Sequence, residues 1–191
     1  MWYRNMVKNK ENYLEIHVGI CTEAQWYQEL MGRMKNLKVN RIIRRCHITA
    51  LFLMDDSLKD ELREAFDRKL NRSTAPRLTF NKLEAFTSLS GKEHIVCLTA
   101  THPEEEFMEL VTTLRKEAES LGAVIEDDFR LHVTLLRIPV NSIPLDELQQ
   151  LIEEIQMPEF TMELTDIDYR YRMSNLEAGL IQRWQLLCST I

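Results

Sequence analysis

At 191 residues the chain is long enough for one large domain or two small lobes around a shared core. Its 45% apolar and 28% charged residues are those of a globular protein, and no apolar run approaches the roughly 20 residues that a spanning helix requires. A formal net charge of −6 speaks against broad binding of duplex DNA through its backbone, but a few local arginines suffice for a pocket that takes one or two phosphates.

The N-terminal residues are basic, yet the apolar segment after them stops at Ile20 and no small-residue cleavage site follows. No signal peptide or membrane contact is expected, and the expected location is cytoplasmic. Cys21, Cys46, Cys97 and Cys188 are scattered without a CxxC pair, which reads as reduced, mostly buried thiols rather than a zinc site.

Apolar periodicity predicts a strand over residues 13–20, a helix over 23–36 capped by Thr22, and a strand over 46–54. A helix over 57–71, capped by Asp56 or Ser57, leads to a long strand over 77–89. Residues 90–92 turn it and 93–101 return. Pro103 then opens a helix that Gly122 closes. A strand over 130–138 and a helix from Pro144 to about Met157 follow. The chain ends with a long strand over 160–173, a turn over 174–177 and a return over 178–189.

The order strand–helix–strand–helix–strand thus occurs twice, with His132 lying 132 − 47 = 85 residues after His47. This is a duplication of supersecondary structure. The expected fold is α+β: two pseudo-two-fold-related α/β lobes, with antiparallel sheets facing a central cleft and helices outside. One bilobal domain spans 1–191, with a first repeat over about 12–92, a second over about 93–176 and a closing strand over about 178–189.

The chemistry lies in CysHisIleThrAlaLeuPheLeu, from Cys46 to Leu53, and LeuHisValThrLeuLeuArgIle, from Leu131 to Ile138. Residues two apart in a strand share a face, so His47 points with Thr49 and His132 with Thr134. Both strands are otherwise apolar, and a buried imidazole or hydroxyl needs a partner. One polar ligand met by both pairs explains the repetition. The competing account makes both histidines core residues bonded to backbone, with threonine chosen for its strand preference.

With its paired motifs at residues 47–49 and 132–134, pseudo-symmetric lobes and closing hairpin, the chain resembles the 2H phosphoesterase superfamily. That superfamily includes 2′-5′ RNA ligase-like proteins and cyclic phosphodiesterases. The likeness runs from about Tyr13 to Ser189. It implies a metal-independent reaction on 2′,3′-cyclic phosphates or 2′-5′ linked nucleotides, with His47, Thr49, His132 and Thr134 in the cleft. Opening such an ester by water requires one proton removed and one delivered, and two imidazoles can share those tasks. Short, rigid threonine hydroxyls suit the non-bridging oxygens. No metal or cofactor is required. The expected partner is a small nucleotide or an RNA end, and the expected state is a monomer.

Arg137 completes an HxTxxR pattern and is a candidate phosphate ligand, although strand parity turns it away from His132 unless a bulge intervenes. Tyr169 and Tyr171 share a strand face, where they either stack a base or pack the core. Arg44 and Arg45 read as a solvated basic pair, and His17, His94 and His102 as structural or exposed. Glu104 to Glu106 suit a helix N-terminus, and Glu126 to Asp128 a solvated turn. Two other readings keep the same cleft: 2′-5′ ligase-type phosphodiester transfer on RNA ends, and a nucleotide-binding module without turnover.

Overall fold

A computed structural model describes residues 11–53, 57–125, 129–172 and 178–188. In chain order the elements are β1 (Glu11–His17), α1 (Gln25–Met34), β2 (Arg41–Ile42), β3 (His47–Leu53), α2 (Lys59–Leu70), β4 (Arg77–Phe80) and β5 (Lys82–Thr87). There follow β6 (Glu93–Thr99), α3 (Glu105–Ser120), β7 (Val133–Pro139), α4 (Leu145–Glu153), β8 (Phe160–Glu163), β9 (Asp166–Arg172) and β10 (Ala178–Gln185). No helix among the described residues is long and apolar enough to cross a membrane.

The strands form two antiparallel four-stranded sheets, ordered β10-β9-β1-β3 and β2-β7-β6-β5, and a ribbon of β4 with β8. The fold is α+β, as the order of elements implied. The two long strands expected over 77–89 and 160–173 are each broken in two. The first halves, β4 and β8, pair with each other, while β5 and β9 join different sheets. At the first break Asn81 leaves the ladder: its side chain donates to Thr101 Oγ1 at 2.8 Å and accepts from the Thr101 N–H at 3.0 Å. At the second, the Leu164 N–H donates to the Pro76 carbonyl at 2.9 Å.

Each sheet therefore draws on both halves of the sequence. The first unites β1 and β3 with the late hairpin β9–β10, and the second unites β2 and β5 with β6 and β7. Sequence repeats and sheets do not coincide, because the hairpins are exchanged.

The helices begin without the side-chain caps expected from Thr22 and Ser57; Ala24 and Leu58 occupy the cap positions. Asp56, the turns over 174–177 and 126–128, and the ends of three expected strands lie outside the described residues. Gly122 does follow α3, at φ +85°, and Gly91 turns β5 into β6 at φ +67°, both in the left-handed region that favours glycine. Glu104, just before α3, accepts from the Thr79 N–H at 3.0 Å, and Glu106 from the Arg77 N–H at 2.8 Å, so the acidic run ties α3 to β4.

The helix α2 covers the back of the first sheet. Phe66 meets Tyr169 edge-on at 5.7 Å and Trp184 at 6.4 Å, and the Trp184 N–H donates to Asp67 at 2.9 Å. On that face Tyr171 lies across from Gly179, and a Cβ added at Gly179 would sit 2.1 Å from its ring. Gly179→Ala is expected to cost about 1–3 kcal/mol of stability, read as a lower midpoint in urea unfolding.

Cys46 and Cys97 are buried, and burial pushes their thiols up to about 11 and about 12. Cys21 and Cys188 are exposed, so the thiols divide evenly rather than being mostly buried.

Candidate active site

His47 opens β3, and His132 stands one residue before β7. Both strands carry a bulge at the same place. Thr49 faces Glu15 while Leu51 faces Leu14, leaving Ala50 as the extra residue; Thr134 faces Cys97 while Leu136 faces Val96, leaving Leu135 as the extra one. A bulge reverses the alternation beyond it. The residue five positions after each motif histidine, Phe52 or Arg137, therefore returns to the face of that histidine and its threonine. His47, Thr49, His132, Thr134 and Arg137 all border one cleft of about 620 Å³. The parity objection to Arg137 is lifted by Leu135.

The two imidazoles are held alike. His47 Nδ1 lies 3.2 Å from the Arg45 carbonyl oxygen, and His132 Nδ1 lies 2.9 Å from that of Arg130. A carbonyl only accepts, so each Nδ1 carries hydrogen and each Nε2 is left for proton exchange.

Their surroundings differ. Glu15, side-chain exposure 7%, places Oε1 3.2 Å from His47 Nε2. Glu15 therefore faces the second ring nitrogen of His47 as an acceptor for any hydrogen it carries. At the matching place in the other sheet stands Cys97, opposite Thr134. His132 packs edge-on against Phe86 at 5.5 Å, whose ring carries the Arg130 guanidinium 3.7 Å above it. Burial lowers His132 below the ordinary histidine value; the hydrogen bond to the Arg130 carbonyl opposes it, and the lesser charges of Arg130, His47 and Arg137 lower it further.

Glu15 belongs to a charged row across the first sheet. Its neighbour on β9 is Asp168, fully buried. Asp168 accepts from Arg183 Nε at 2.7 Å, from Arg170 Nη1 at 3.1 Å and from Arg45. Burial alone would raise this carboxyl, but the hydrogen bonds of Arg183 and the charges of His17, Arg183 and Arg45 outweigh it and hold it far below the usual carboxylate range. Arg170 also lies 3.6 Å from Glu15. Ligand atoms of Glu15, His17 and Asp168 lie within 4.8 Å of one another, as at a metal site, but guanidinium groups already serve Asp168.

Of the two readings of Tyr169 and Tyr171, base stacking fails and packing against the core holds. Tyr169 is fully buried behind the sheet, against Phe66, and Tyr171 shares that back face over Gly179, so neither reaches the cleft to stack a base. Their neighbours Asp168 and Arg170 take the front, and aromatic surface in the cleft comes from Phe86, Phe129 and Phe52 instead. Arg45 is exposed, as expected of a solvated group, but it is also bonded to Asp168 and to His17. His94 is structural: its ring nitrogens meet Thr87 Oγ1 at 3.0 Å and the Ile143 carbonyl at 3.1 Å. A signal for Glu15 existed in GluIleHis, residues 15–17, where two polar residues alternate within an apolar strand.

Paired HxT motifs on bulged strands across one cleft define a 2H phosphoesterase, and the chain is a member of that superfamily. The family model for the 2'-5' RNA ligase superfamily matches residues 31–172, more than half of the chain, which places the chain in that family.

Among solved structures, Escherichia coli LigT complexed with 3'-AMP superposes with a TM-score of 0.61 at 18% identity, covering 94% of this chain and 99% of LigT. TT0787 of Thermus thermophilus gives 0.61 at 13% identity, with 94% and 100% covered. Usb1 of Kluyveromyces marxianus gives 0.55 at 9% identity, with 90% and 97% covered. At these identities the structures speak for the fold alone. No curated protein sequence matches the chain. Membership of the superfamily supports a phosphoesterase activity of the phosphodiesterase or ligase type.

Proposed function

We propose that the protein is a metal-independent phosphodiesterase that opens 2′,3′-cyclic phosphates of small nucleotides or RNA ends by two-histidine acid–base catalysis. The observation that carries this reading is the matched tethering of His47 and His132, each Nδ1 on a backbone carbonyl, on two strands that border one cleft. Neutral His132 takes a proton from water, whose oxygen bonds to phosphorus. Protonated His47 delivers a proton to the ribose oxygen as its bond to phosphorus breaks. Thr49 and Thr134 donate to the non-bridging oxygens, where charge accumulates, and Arg137 adds a fixed positive charge. Solved LigT complexes with 3'-AMP, ATP and NADP+ support a nucleotide-sized ligand for this cleft.

The test is hydrolysis of nucleoside 2′,3′-cyclic phosphates in excess EDTA. Turnover that survives chelation is expected; turnover restored only by added metal overturns the reading. Ligase-type transfer would use the same groups with a ribose hydroxyl in place of water, so adding an RNA bearing a free 5′ hydroxyl reveals it as a joined product.

The assignment of roles has its own check. Glu15→Gln removes the negative charge facing His47 while preserving shape. We expect kcat to fall about tenfold with KM little changed, because the imidazole then loses the charged acceptor that aims its outer nitrogen. An unaltered kcat would reject Glu15 as a positioning residue.

A further inference from the structure

The proposed reaction accounts for one phosphate, yet the cleft continues past His47 and Thr49 into a second recess of about 450 Å³. Five arginines border it: Arg41, Arg44, Arg45, Arg137 and Arg170; Glu15 is the one carboxylate among its lining residues. The chain as a whole carries −6, so this concentration of positive charge is local.

Three features of the recess suit it to an anion. Arg45 and Arg170 are held by the buried carboxylate of Asp168, so part of their ordering cost is met before any ligand arrives. Arg41 stands directly opposite Arg137 in the β2–β7 pair, an arrangement of like charges that costs stability unless a counter-charge lies between them. Glu93 supplies part of that charge, bonded to Arg137 at 3.3 Å and to Asn40 at 2.8 Å. Arg44 makes no hydrogen bond or ion pair among the described residues.

The other end of the cleft is built differently. There Phe86, Phe129, Leu51 and Leu89 provide apolar surface suited to a base, beside Arg115 and Arg130. A nucleoside 2′,3′-cyclic phosphate has its base on one side of the reacting phosphorus and its 5′ oxygen on the other. With the base toward Phe86, the 5′ oxygen faces the arginines.

We propose that this recess is a second phosphate subsite, and that the substrate is a nucleoside 2′,3′-cyclic phosphate bearing a further phosphate on its 5′ oxygen. That phosphate is either a free monoester or the diester to the preceding nucleotide of an RNA end. The proposal rests on the reading of His47 and His132 as the reacting centre, because that reading fixes where the first phosphate lies.

Calorimetry on the whole protein tests it with three probes: adenosine 3′-monophosphate, adenosine 3′,5′-bisphosphate, and a dinucleotide ending in a 3′-phosphate. The bisphosphate, the dinucleotide or both should bind at least tenfold tighter than the monophosphate at low salt, with the advantage shrinking as salt rises. In Arg44→Glu the advantage should fall to unity or reverse, while monophosphate binding reports that the variant is folded. A gain with the dinucleotide identifies an RNA end, and a gain with the bisphosphate alone a free nucleotide. Equal binding of all three by the wild-type protein, or an advantage unchanged in Arg44→Glu, overturns the subsite. Tighter bisphosphate binding without any hydrolysis of cyclic phosphates would sink the proposed reaction and leave the subsite standing. Hydrolysis without a second-phosphate preference would do the reverse.

Discussion

His132→Ala and His47→Ala are each expected to lower kcat/KM on a 2′,3′-cyclic nucleotide by about 10²- to 10⁴-fold, the usual worth of a positioned acid or base. The double variant should be little worse than either single one, because a proton taken without one delivered accomplishes nothing. Lowered by burial, His132 stays neutral, and thus able to accept, at a pH where an ordinary histidine is already charged. The sign follows: activity should persist below pH about 6.5, the ordinary histidine value, and fall only as pH drops through the lowered one. Stopped assays on purified variants across pH 4 to 9 measure both effects. Full activity in either single variant would end the shared-site mechanism.

Asp168→Asn should be the most damaging change for stability. The carboxylate is fully buried and answers the guanidinium of Arg170, itself 14% exposed, together with the more exposed Arg45 and Arg183. Removing one partner of a buried pair leaves the other uncompensated, at a cost of about 3–5 kcal/mol. Little of this arises from Arg45 and Arg183, whose outer edges water screens. The folded-state carboxyl is depressed, so its contribution is present above its ordinary value near pH about 4 and is lost as pH falls through the folded value. Urea unfolding should give a lower midpoint for the variant at pH 7, and a gap that narrows on acidification. Equal midpoints at pH 7 would show that the arginines need no such anchor.

The motifs are legible in the sequence because their chemistry is local: a histidine and a threonine two apart share a face in any strand. What lies past each threonine is not. Ala50 and Leu135 are ordinary apolar residues, and nothing in their identity announces a bulge, which arises only when the partner strand holds its register. Simple alternation therefore puts Arg137 on the wrong face. Tyr169 and Tyr171 do lie together, but on the covered side, since the pattern of β9 alternates two large aromatic residues with charged ones without saying which set the helix will cover. Arg45 and Asp168 lie 123 residues apart, and only the tertiary fold unites them. The breaks at Asn81 and Leu164 escape the sequence for a related reason. The β propensity runs on through both, and it is the choice of pairing partner that changes.

The exchange of hairpins between the sheets bears on how the molecule is made. As the chain leaves the ribosome, β1 and β3 emerge early, but their neighbours β9 and β10 come only after residue 165. Until then β1 has an open edge that presents unpaired amides, a template for association with another nascent copy. Closing that gap joins segments more than 140 residues apart, as between Tyr13 and Arg170, which favours slow folding. Cut between β5 and β6, the two pieces should accordingly recover structure when mixed rather than alone.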